Sequence, residues 1–116
     1  MFNIGTDNET KVLKKIARMD EPFAVIGKQL HETIIAANPE LEPKLWYGAP
    51  AYTKGGEVLC FFRVDGNFMT FGLTEKASFT PSENAPHHLM ASAWFLTQFD
   101  EATEAQVANV VRDATS

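Results

Sequence analysis

The stretch KLWYGAPAY, residues 44–52, gathers Trp46, Tyr47 and Tyr52 around Gly48 and Pro50. Aromatic walls tipped by an indole N–H and phenol O–H groups suit a small-molecule site, and they suit a protein interface equally well. Other groups able to do chemistry are few. His87 and His88 follow Glu83 in a polar segment and could offer imidazole and carboxylate ligands to a divalent cation. Neighbours in an extended segment point to opposite sides, however, and no HExxH or spaced His/Cys set is present, so solvated loop histidines and no metal are expected. His31, beside Glu32, flanks an apolar helical stripe and is expected at the surface or boundary of the core.

Cys60 lies between Leu59 and Phe61 in an apolar run, which predicts a buried thiol of normal or raised pKa rather than a nucleophile. Lys11, Lys14, Lys15 and Arg18 share one side of a helix, either an anion patch or the solvated face that any amphipathic surface helix needs; the solvated face is the expectation. Signatures of common hydrolases and nucleotide sites, such as GxSxG, GxGxxG and GxxxxGK[ST], do not occur. An enzyme built from Tyr52 and a loop histidine would need the phenol and His87 or His88 to converge on one cavity.

These residues belong to a chain of 116 with 45% hydrophobic and 22% charged side chains, the size of one domain, residues 1–116, with a single core. Ten basic against fifteen acidic residues give a formal charge of −5, which opposes nonspecific attraction to nucleic acid or an anionic membrane. A lone cysteine excludes an internal disulfide framework, and no apolar run approaches the roughly 18 residues of a membrane span. With no basic, apolar leader at the start, a cytoplasmic protein without cofactors is expected.

Local patterns supply the elements. TDNE fits a capping box at Thr6 and Glu9, and Val12, Leu13, Ile16 and Ala17 follow at helical spacing, which predicts a helix over about Asp7 to Arg18. Pro22 suits the first turn of a second helix carrying Phe23, Ile26, Leu30, Ile34 and Ala37, stopped by Asn38-Pro39. The period then changes to two. LWYGAPAYT reads as one irregular strand, VLCFFRV and FMTFGL as two more joined by KGGE and DGN turns, and ASAWFLT as a fourth after a long loop over residues 74–88. Thr103 and Gln106 offer a second capping box before a closing helix buried through Val107, Val110, Val111 and Ala114. The expected fold is α+β: an antiparallel meander of about four or more strands, two helices before it and one after.

Strict alternation puts Cys60 and Phe62 on one side of their strand and Leu59, Phe61 and Arg63 on the other, while Phe68 and Thr70 oppose Met69 and Phe71. Both sides of the meander are apolar, so a loop, a second copy or a small apolar ligand should cover whichever side the helices leave open. Trp46, Pro50, Tyr52, Phe61 and Phe71 are the candidate ligand-binding or interface residues. Completion of the core by the same rings is the alternative.

At LWYGAPAYTKGGEVLCFF the chain resembles the YdhG-like family, a group of domains of unknown function, with Trp46, Gly48, Pro50 and Tyr52 at the spacing of its Trp-x-Gly-x-Pro-x-Tyr signature. Phe71, Gly72, Lys76 and Ala77 match the Phe-Gly-x-x-x-Lys-Ala segment of one branch, and EAQVANVVRDA fits its closing helix, so the resemblance runs from about residue 22 to the end. The loop SFTPSEN and the pair Met90-Ala91 depart from that branch, where Asp and Gly and a Trp-Pro pair are expected. The resemblance implies an α+β domain likened to frataxin, some relatives being iron-binding or iron chaperones for iron-sulfur cluster assembly. Iron chemistry of that kind needs dense carboxylates, whereas acidic residues here are scattered apart from Glu40, Glu42, Asp100, Glu101 and Glu104. The expectation is therefore a binding or interaction module, leaning away from an enzyme.

Overall fold

Apolar residues at helical spacing in the first third of the chain and at a period of two in the middle produce the elements they predict. The computed structural model describes residues 4–79 and 84–116. Among them the chain forms helices α1 (Ile4–Ala17), α2 (Phe23–Ala37) and α3 (Glu101–Ala114), and strands β1 (Glu42–Trp46), β2 (Ala49–Lys54), β3 (Glu57–Asp65), β4 (Phe68–Leu73) and β5 (Ala93–Leu96). The strands run antiparallel in the order β1-β2-β3-β4-β5, so each lies beside its neighbour in sequence. The fold is α+β, with two helices before the sheet and one after it.

The segment expected as one irregular strand is instead a tight hairpin. β1 ends at Trp46 and β2 starts at Ala49, with Trp46 paired to Ala49 and Leu45 to Pro50. The two residues between them, Tyr47 and Gly48, have φ of 50° and 78°, the left-handed pair a two-residue type I′ turn demands. Gly48 meets that demand without strain, whereas a tyrosine at Tyr47 disguises the turn because Asn or Asp usually stands there.

Helix ends also move from their expected places. α1 already includes Ile4, so Thr6 is not its cap. α2 begins at Phe23, with Pro22 just outside accepting a hydrogen bond from the Ile26 N–H through its carbonyl. α3 starts ahead of the Thr103 box: the Asp100 carboxylate accepts from the Thr103 N–H at 2.8 Å, and Glu101 and Glu104 sit favourably in the first turn. That hydrogen bond holds the Asp100 carboxyl below the usual carboxylate range.

Helices and sheet meet in one core. Val12 and Ile16 of α1, Phe23, Ile26, Leu30 and Ile34 of α2, and Val107 and Val111 of α3 pack on Tyr52, Cys60, Phe62, Met69 and Phe71. The strand residues of this set share one side, because Phe62 pairs with Phe71 and Tyr52 with Cys60. A bulge opposite Tyr52 and Thr53 adds one residue to β3, so alternation fails at Val58-Leu59 and Leu59 is buried in the core. Burial pushes the Cys60 thiol up to about 12, so it is inert as expected.

The end of α3 ties distant parts together. Thr115, itself buried, accepts from the Asn38 amide at 2.9 Å through its hydroxyl and from the Lys54 ammonium at 2.8 Å through its carbonyl. The Ala114 carbonyl accepts from the Ser78 N–H at 2.8 Å. No helix among the described residues is long and apolar enough to cross a membrane.

Candidate functional site

The outer side of the sheet is where an unpartnered surface appears. Register places Trp46, Ala49, Ala51, Phe61, Arg63, Thr70, Gly72 and Phe95 together there: Ala51 opposes Phe61, Phe61 opposes Gly72, and Arg63 opposes Thr70, which opposes Phe95. The small residues form a floor and the rings lie over it. Trp46 and Phe61 pack at a tilt with ring centres 5.4 Å apart, and Phe68 and Phe95 likewise at 4.5 Å. A Cβ on Gly72 would come within 2.7 Å of Phe61 Cζ, so glycine is what lets the Phe61 ring lie flat on β4. Phe95 remains 67% exposed, and among the described residues no helix packs over these rings.

One charged pair borders the rings. Asp65 accepts from the Thr70 hydroxyl at 2.6 Å and from Arg63 Nε at 3.0 Å. Those bonds, Thr70 first, hold the Asp65 carboxyl below its ordinary value. Arg63 and Asp65 thus put a cation and an anion side by side at one end of the aromatic surface.

The five candidate residues from the sequence divide between the two sides. Trp46 and Phe61 belong to the outer surface and are partly exposed. Pro50, Tyr52 and Phe71 are buried. Tyr52 and Phe71 point into the core, where Tyr52 stacks on Phe62 and Phe71 on Trp94. Phe71 reaches one shallow apolar notch of about 330 Å³ between β5 and α3, with Trp94, Leu96, Thr103 and Val107 as further walls. A single aromatic face containing all of them does not exist, because Phe61 and Phe71 sit on opposite sides of adjacent strands.

Tyr52 belongs to a group that the sequence did not reveal. Its hydroxyl lies 2.8 Å from His31 Nδ1, and His31 Nε2 lies 3.1 Å from the Glu9 carboxylate. A carboxylate only accepts, so Nε2 carries a hydrogen, and the Tyr52 hydroxyl, able to donate or accept, partners Nδ1; both imidazole nitrogens are satisfied. His31 is therefore buried, at 5% exposure, rather than at the boundary, because its side chain bridges α1 to the sheet beneath α2. The signal was Gly27, one turn before His31: a Cβ there would be 3.0 Å from Ile16, so α1 and α2 approach closely along that edge. Tyr52 is 0% exposed, and burial, followed by the charges of Cys60 and Glu9, raises its pKa well above the usual phenol value.

The histidines of the long loop lie elsewhere. His87 and His88 are exposed, His87 Nδ1 accepting from the Leu89 N–H at 3.2 Å, while Tyr52 is enclosed by the core and occupied with His31. Glu83 lies outside the described residues. Among those described, no three His, Cys, Asp or Glu side chains are grouped so as to hold a metal ion.

A second cleft, of about 420 Å³, opens beside the β1–β2 turn and is lined by Lys15, Arg18, Tyr47 and Arg63 among others. The basic face of α1 and the aromatic segment, separate features in the sequence, meet here. No family model matches the chain, and no curated protein or solved structure matches it.

Proposed function

We propose that the protein is a non-enzymatic interaction module whose outer sheet surface, centred on Trp46, Phe61, Phe68 and Phe95, docks a second copy of the same chain. The observation carrying this reading is the two-thirds exposure of Phe95, packed against Phe68 on the sheet side that the described helices leave open. Small ligands favour concave sites, and none of the main clefts among the described residues is lined by Phe61 or Phe68, so this surface suits a protein partner better than a small apolar ligand. Arg63 beside Asp65 makes one end of the surface self-complementary across a two-fold axis, where each cation can face the other copy's anion. A carboxylate, imidazole and phenol in series could relay a proton, but the phenol end of Glu9–His31–Tyr52 is inside the core, which favours a structural role.

Sedimentation equilibrium tests this reading. A dimer at micromolar concentration that Phe95→Asp converts to a monomer, with unchanged circular dichroism, supports it. A wild-type monomer at the highest soluble concentration rejects it. Kinship with YdhG-like domains rests on Trp46, Gly48, Pro50 and Tyr52, and each of these also has a role in making the hairpin and its packing. The iron-chaperone function implied by that kinship is not favoured by the carboxylates present: Glu32, Asp100, Glu101 and Glu104 line one cleft between α2 and α3, but no three His, Cys, Asp or Glu side chains among the described residues are grouped so as to hold a metal ion.

A further inference from the structure

We propose that the cleft beside the β1–β2 turn binds a small organic anion carrying a flat ring, with Lys15 and Arg18 taking the anionic group and Tyr47 the ring. Three observations converge on this cleft. Its volume of about 420 Å³ falls within the range of small-molecule sites. Its walls hold three cations, Lys15, Arg18 and Arg63, against one carboxylate, Asp20, in a chain whose net charge is −5. Neither Lys15 nor Arg18 has a carboxylate partner among the described residues, whereas Arg63 is held by Asp65.

Tyr47 supplies a further observation. It adopts a φ of 50°, a region costly for a bulky side chain, where Gly or Asn would complete the same turn without strain. The ring held in this position is 91% exposed and braced edge-on by Trp46 at 5.0 Å. A strained and solvent-facing aromatic contributes little to the core, and a role in contacting a ligand accounts for both properties. Dipole complementation by Lys15 at the end of α1, and the pairing of Arg63 with Asp65, leave Tyr47 unexplained. The anion is a phosphate or carboxylate group, since a guanidinium fork and an ammonium recognise either.

Phenyl phosphate and benzoate are the probes, with inorganic phosphate and phenol as controls, and amide chemical shifts of the full chain are followed during titration. Saturable shifts confined to residues 15–20 and 47–50, with a ring-bearing anion bound about tenfold more tightly than either control, support the site. Arg18→Gln should weaken that binding about tenfold, as loss of a charge-assisted hydrogen bond does. Tyr47→Asn, which the turn accepts, should erase the preference for ring-bearing anions over inorganic phosphate while the spectrum stays folded. Non-saturating shifts spread over the surface, or affinities unchanged in Arg18→Gln and Tyr47→Asn, overturn the proposal. Phe95→Asp, on the outer sheet surface, should leave this binding intact, so failure here is separate from failure of self-association.

Discussion

The two sides of the sheet contain similar rings used in opposite ways. On the inner side Tyr52, Phe62 and Phe71 are sealed beneath helices, and the one polar atom they bring inside, the Tyr52 hydroxyl, is matched by His31. On the outer side Trp46 packs on Phe61 and Phe68 on Phe95, beside small residues, and no described helix lies over them. Aromatic content alone therefore does not distinguish a core from a contact surface; what distinguishes them is whether a second layer completes the packing.

The sharpest test compares one phenylalanine from each side. Phe62→Ala, at a fully buried position, should cost about 3–5 kcal/mol in urea unfolding, whereas Phe95→Ala should change monomer stability by only about 0.5 kcal/mol. Equal losses would mean that the outer rings are also core. Gly72→Ala comes next: its new Cβ would strike Phe61, so a loss of about 1–3 kcal/mol is expected, and pairing it with Phe61→Leu should recover part of that loss in a double-mutant cycle.

Tyr52→Phe probes the polar link between strand and helix inside the core and should cost about 1–3 kcal/mol, because the buried His31 Nδ1 then loses its partner. The same link shapes alkaline stability. Tyr52 and Cys60 have pKa values raised in the folded state, so their contributions are complete below the unfolded values and fade as pH rises towards the folded ones. For Cys60 the window runs from 9 to about 12. Cys60→Ala should shallow the decline seen by pH-dependent denaturation, and Tyr52→Phe should shallow its upper end.

The smallest effect is expected at the exposed carboxylates. Asp65 and Asp100 are held below their ordinary range, so their contributions are present above the unfolded carboxylate value and are lost as pH falls through the lower folded one. Asp65→Asn should slightly flatten the acid limb of the stability curve, and Asp100→Asn should preserve the cap while removing its pH dependence.

Periodicity revealed most of this architecture, because spacing at 3.6 or 2 is a local property that burial enforces. The stripe Phe23, Ile26, Leu30 and Ile34, the hairpin from Val58 to Leu73 and the inert Cys60 follow directly from it. What it missed depends on contacts far apart in sequence or on unusual turn chemistry. The β1–β2 turn was hidden because Tyr47 replaces a residue that tolerates positive φ, and the Glu9–His31–Tyr52 chain spans three elements. Division of the candidate rings between two sides required the register linking Phe61 to Gly72 and Phe62 to Phe71.

The anchorage of Thr115 to Asn38 and Lys54, with Ala114 holding Ser78, gives the last helical turn a mechanical meaning. It acts as a latch across separations of 77 and 61 positions, joining the end of α2 and the end of β2 to one residue. Fraying of those few residues would loosen the ends of α2 and β2 at once, and amide exchange at Asn38 and Lys54 should rise and fall with exchange at Thr115.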